Sequence, residues 1–96
     1  MSRTRYLVSY DIANPKRLRK VAKICESYGS RLQYSVFECP LDDTRYQQLR
    51  AELDLSIHHS DDQILFISLG VESSSNPMRI EAIGMPYTQK SRLTII

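Results

Sequence analysis

The stretch Ser30–Pro40, SRLQYSVFECP, decides how the chain folds. It lies between two segments that read as helices, and it is extended in character. Leu32, Tyr34 and Val36 fall on one side of an alternating pattern, and Arg31, Gln33, Ser35 and Phe37 on the other. Pro40 ends it, because proline cannot donate to a strand ladder. Two short strands would need a turn inside these few residues. Only about residues 31–41 are available for them. The expectation is one long strand, bent or broken near Ser35.

Upstream, RYLVSYDI (residues 5–12) alternates Tyr6, Val8 and Tyr10 against Leu7, Ser9 and Asp11 and reads as a strand. Asn14 is a good N-cap and Pro15 suits the first helical position. Leu18, Val21, Ala22, Cys25 and Tyr28 then follow helical spacing, and Gly29 is placed to end the helix in a left-handed conformation. Downstream, Asp42 or Asp43 caps a second helix with Tyr46, Leu49 and Leu53 as its apolar line. SIHHSDD is a polar loop, QILFISLG a strand ended by Gly70, RIEAIGM (79–85) a short strand, and SRLTII (91–96) a further C-terminal strand.

The predicted class is α+β: a ferredoxin-like antiparallel sheet with two helices on one face, spanning residues 1–96 as one domain. The other face then carries Leu7, Ser9, Asp11, Arg31, Gln33, Ser35 and Phe37. That mixture suits an interface better than a solvent surface, and a chain of 96 residues has a small core. A homodimer through the open sheet face is the expectation, with Phe37 in the dimer core or stacking on a ligand.

Charge is segregated. Residues 1–34 carry a net +6, residues 35–72 a net −6 and residues 73–96 a net +2. The basic part concentrates on the first helix, in Lys16, Arg17, Arg19, Lys20 and Lys23. Such a face suits a phosphate backbone, or is simply a solvated face. No apolar run reaches the roughly 20 residues of a membrane span, and Ser9 and Asp11 interrupt the only N-terminal apolar stretch. A cytoplasmic location follows, with Cys25 and Cys39 as reduced core thiols.

Asp11 ends an apolar strand, where a carboxylate either caps the turn at Ala13–Asn14 or serves chemistry. Ser35 has no partnered base in the sequence and reads as a hydrogen-bonding residue. His58, His59, Asp61 and Asp62 look like a metal cluster, but HHxDD lacks an established ligand spacing.

YDI, KRLRKVAKICESYGSRLQYSVFE, LFISLG and RIEAIG together resemble the CRISPR-associated protein 2 family, over about Tyr6 to Gly84. YGSRLQYSVFE at its distance from YDI is the specific part. The resemblance implies a ferredoxin-like homodimer whose C-terminal strand, here about 91–96, pairs with the partner subunit. It implies a role in spacer acquisition, as a duplex-DNA-binding adaptor for the CRISPR integrase, the first Cas protein. It also implies a metal-dependent endonuclease acting on DNA or on single-stranded RNA, with Asp11 as catalytic residue and ligand of Mg²⁺ or Mn²⁺. Lys16, Arg17, Arg19, Lys20 and Arg31 would bind nucleic acid, with Ser35 and Phe37 at the interface or in support. Mg²⁺ keeps several waters and uses few carboxylates, so two copies of Asp11 across a two-fold axis would suffice. Ala13, Asn14 and Pro15 depart from the acids or Ser that many relatives carry after YDI, which bears on metal affinity rather than on fold. The alternative is a toxin-like ferredoxin-fold ribonuclease dimer outside CRISPR.

Overall fold

The computed structural model describes residues 2–73 and 81–86. The order is β1 (Thr4–Asp11), α1 (Pro15–Glu26), β2 (Ser30–Gln33), β3 (Val36–Leu41), α2 (Asp43–Asp54) and β4 (Gln63–Val71). The sheet runs β2-β3-β1-β4, and every neighbouring pair is antiparallel. This is a βαββαβ arrangement of the ferredoxin-like class, the class that the sequence predicted.

The stretch between the helices differs from expectation. It forms a hairpin that turns at Tyr34 and Ser35, rather than one long strand. Gln33 pairs with Val36 across the turn, and Arg31 with Phe37. No residue other than glycine has a positive φ among the described residues, so the turn is not of the primed type that Asn-Gly pairs announce. The register instead shifts between Arg31 and Gln33, a bulge of the kind that adds local twist. The turn is also held from outside: Tyr10 N donates to Ser35 O at 3.1 Å, and the Tyr10 hydroxyl donates to Tyr34 O at 3.3 Å.

The hairpin reverses the side on which Arg31, Val36 and Phe37 sit. Val8 pairs with Phe37, and both are fully buried with Tyr10, Val21, Cys25, Cys39, Leu41, Leu49 and Leu53. Phe37 is therefore in the chain's own core under the helices, rather than in a dimer core. Arg31 shares that side, with its guanidinium 5.1 Å from the Phe37 ring centroid. A continuous strand would have put Arg31, Gln33 and Phe37 together; the bulge and turn place Gln33 with Val36 on the open face instead.

Both helices begin as their caps dictate. The Asn14 side chain accepts from Lys16 N and Arg17 N, and the Asp42 side chain from Arg45 N. Val21 and Cys25 on α1, and Leu49 and Leu53 on α2, bury against the sheet. Burial pushes the Cys25 and Cys39 thiols up to about 12, as inert core groups behave. Gly29 serves a different purpose from the one expected. Its φ is not positive; what demands glycine is proximity, since an added Cβ would sit 2.7 Å from Cys39 Sγ and 2.8 Å from Cys39 Cα.

The open face presents a row on β4. Leu65, Ile67 and Leu69 are each nearly half exposed (47%, 45% and 46%), with Ile67 paired to Leu7 and Leu65 to Ser9. Of the segment read as a short strand at 79–85, the described residues 81–85 form no strand, and 79–80 lie outside the described residues. The strand predicted at 91–96 lies outside the described residues. Among the described residues no helix is long and apolar enough to cross a membrane.

Candidate functional site

Antiparallel pairing gathers one end of the sheet. β1 finishes there at Asp11, β4 begins beside it with Gln63 as the partner of Asp11, and the Tyr34–Ser35 turn closes opposite Tyr10. α1 starts three residues beyond Ile12, and the loop from α2 returns through His58–Asp62. Sequence-distant polar groups therefore converge on the tip that carries Asp11.

Asp11 does not cap its own turn. Ala13 N donates to Asp62 Oδ1 at 2.9 Å, and Lys16 N and Arg17 N donate to Asn14 Oδ1 at 2.9 and 3.1 Å. The amides that a capping Asp11 would have bound are thus taken by two other side chains. Asp11 is exposed, and its carboxylate makes no hydrogen bond or ion pair among the described residues. A carboxylate with no structural partner at the end of a buried strand is free to take a cation or a ligand.

Asp62, the residue before Asp11's strand partner Gln63, is its opposite. Its side chain is 0% exposed, and Arg17 Nε lies 2.7 Å from Oδ2. Arg17 Nη2 donates to Oδ1 at 3.2 Å, and His58 N to Oδ2 at 2.8 Å. The Arg17 guanidinium, with the His58 and Ala13 amides, holds this carboxyl well below the usual carboxylate range against the opposing effect of burial. Sequence reading singled out Asp62 only as one member of the metal-like HHxDD cluster, not as a structural clamp. Its one local partner is the His58 amide, four residues away; Arg17 and Ala13, which tie it to the tip, stand 45 and 49 residues away.

The other predicted residues spread over this end. Lys16, Arg19 and Lys20 are exposed along α1 and form no ion pair among the described residues. Arg17 is on the same helix but engaged by Asp62. Arg31 lies over Phe37 on the edge strand, exposed beside the turn that presents Tyr34 at 73% exposure. Ser35 sits in that turn, where its carbonyl receives Tyr10 N. The histidines of the loop are dispersed: His58 faces Asp61 at 3.4 Å and His59 faces Asp54 at 3.4 Å. Among the described residues no group of three or more His, Cys, Asp or Glu side chains could hold a metal. Among the described residues, the donor that this tip offers as an unpartnered side chain is the single exposed carboxylate of Asp11. That fits a loosely held, mostly hydrated divalent ion only if a phosphate or a second Asp11 completes it.

Comparison with known proteins agrees with this architecture. The family model for CRISPR associated protein Cas2 matches residues 4–76. The CRISPR-associated endoribonuclease Cas2 of Geobacter sulfurreducens is 34% identical over 91 residues, covering 95% of each chain. The CRISPR-associated endonuclease Cas2 of Halalkalibacterium halodurans is 40% identical over 83 residues, covering 81% of this chain and 83% of that one. Among solved structures, Streptococcus pyogenes Cas2 at pH 6.5 superposes with a TM-score of 0.65 at 41% identity, over 69% of this chain and 86% of that one. A hypothetical protein from Thermus thermophilus gives a TM-score of 0.75 at 28% identity, over 92% and 99%. With YDI ending β1 and YGSRLQYSVFE forming the hairpin beside it, the chain belongs to the Cas2 family of CRISPR-associated proteins.

Proposed function

We propose that the protein acts in CRISPR spacer acquisition as a dimeric duplex-DNA-binding adaptor for the integrase, and that Asp11 gives it a metal-dependent endonuclease activity. The observation that carries the second part is the Asp11 carboxylate, left without a partner while Asp62 and Asn14 satisfy the turn around it. The names of the relatives, endoribonuclease and endonuclease, support cleavage of a phosphodiester.

Asp11 would hold Mg²⁺ or Mn²⁺, and the ion would supply positive charge to polarise a phosphodiester. The chain's own residues do the rest. Lys16, Arg19 and Lys20 offer an exposed cationic stripe to the backbone, and Arg31 and Tyr34 border the tip. Contacts of that kind position nucleic acid without reading its sequence. The apolar row Leu65, Ile67 and Leu69 beside Leu7 supports a dimer through the open face, and light scattering should give twice the chain mass. A monomer at micromolar concentration would count against that part.

The test of the site is Asp11→Ala, assayed with Mg²⁺ or Mn²⁺ on single-stranded RNA and on duplex DNA, and in parallel for duplex binding and spacer acquisition. Cleavage should fall to the metal-free background on whichever substrate the wild type cuts, while duplex affinity is retained. Full cleavage by the variant would sink the assignment of Asp11. Lost binding by a folded variant would mean that the ion anchors phosphate instead.

A further inference from the structure

Four donors meet the carboxylate of Asp62, two from the Arg17 fork and one each from the Ala13 and His58 amides. An ionised carboxylate has about four acceptor sites, so its capacity is filled. The bonds join three pieces of chain: the turn that follows Asp11, the first turn of α1 and the loop that leads into β4. Asp62 is next in sequence to Gln63, the strand partner of Asp11. The Ala13 amide it holds is two residues from Asp11. The backbone that aims Asp11 is thus fixed on both sides by one side chain.

Arg17 differs from the other cations of α1. Its side chain is 28% exposed, whereas Lys16, Arg19 and Lys20 stand in solvent. To reach a phosphate it would have to leave a carboxylate of zero exposure without its counter-charge, an arrangement that proteins avoid. Bidentate Arg–carboxylate pairing is also among the stronger and more directional polar contacts.

We propose that Arg17 and Asp62 form a single clamp that positions the tip bearing Asp11, so that Arg17 serves cleavage through Asp62 and is not a phosphate ligand. Its kinetic consequence rests on the reading of Asp11 as the reacting carboxylate. Its consequences for binding and for local backbone protection do not.

The test compares Arg17→Met, Asp62→Asn and the double variant with Arg19→Met and Lys20→Met, all in the full chain. Duplex DNA affinity is measured against salt concentration. Removing a phosphate ligand lowers the log–log slope by about 0.9; Arg19→Met and Lys20→Met should do so, and Arg17→Met and Asp62→Asn should leave the slope at its wild-type value. Amide exchange at Ala13 should accelerate in both clamp variants. In divalent-dependent cleavage, each should lower kcat by up to about 100-fold, the scale of a small misplacement of a reacting group, with KM unchanged. The double variant should be no worse than the poorer single one.

A slope for Arg17→Met that falls as it does for Lys20→Met would overturn the proposal. So would losses that multiply in the double variant, or unchanged exchange at Ala13 in either clamp variant. If Asp62→Asn does not fold, Arg17→Met carries the slope and exchange readouts alone. If the wild type cleaves nothing, the reading of Asp11 fails, and the same two readouts still decide the clamp.

Discussion

The two ends of the sheet use polar groups in opposite ways. At the end where β1 begins, they hold packing together: Arg3 pairs with Glu72 at 2.8 Å, Arg45 donates to Ser27 O at 3.2 Å and lies 4.2 Å from the Tyr28 ring centroid, and Gly29 lets the chain press against Cys39. At the end where β1 finishes, Asp62 and Asn14 satisfy the turn, and Asp11 makes no hydrogen bond or ion pair among the described residues. The difference shows how one small sheet leaves an exposed carboxylate unpartnered at its tip. The turn next to it is satisfied by Asn14 and by an acid brought from another loop, so on the proposed reading Asp11 need not be spent on the backbone.

The largest effect on stability should come from the first end. Gly29→Ala would force a methyl group into the backbone of β3, where overpacking typically costs about 2–3 kcal/mol. For a chain of this size that is a fall in Tm of roughly 10–15 °C, checked by calorimetry. Cleavage per folded molecule should be unchanged, because the tip is anchored separately. A variant as stable as the wild type would show that the close approach is relaxed in solution.

A smaller effect concerns Glu38, which faces the open side opposite Leu7 and Ser30. Its Oε2 is buried with no hydrogen-bond partner among the described residues, and burial raises its pKa above the ordinary value, with Arg5 opposing. The folded chain therefore holds this proton to higher pH than the unfolded chain does. Stability is full below the unfolded value near about 4.3 and declines as pH rises through the folded value. Glu38→Gln should accordingly be the more stable protein at pH 7, with the advantage shrinking towards pH 4 in thermal melts. A Gln variant less stable at pH 7 would mean that Glu38 has a favourable partner in solution.

Much of the frame was legible before the structure was seen. Asn14–Pro15, Asp42 and the apolar stripes around Val21, Cys25, Leu49 and Leu53 act locally, within a few residues, and they sit where patterning put them. The hairpin at Tyr34–Ser35 was hidden because it is stabilised from β1, by Tyr10, rather than by turn residues of its own. Misreading it carried Phe37 and Arg31 to the wrong face, since a reversal of the chain changes which residues share a side. Asp11 was visible as an anomaly, an acid closing an apolar strand. Asp62 was not, because its meaning lies in contacts across tens of residues of chain.

The most direct test of this division of labour is equilibrium unfolding of Asp11→Ala and Asp62→Asn, with divalent-dependent cleavage measured on the same preparations. The account predicts that Asp11→Ala unfolds at the wild-type midpoint or above it and has lost cleavage. Asp62→Asn should unfold at a lower midpoint and retain a reduced rate. A lowered midpoint for Asp11→Ala with cleavage intact, beside an unaltered Asp62→Asn, would contradict it.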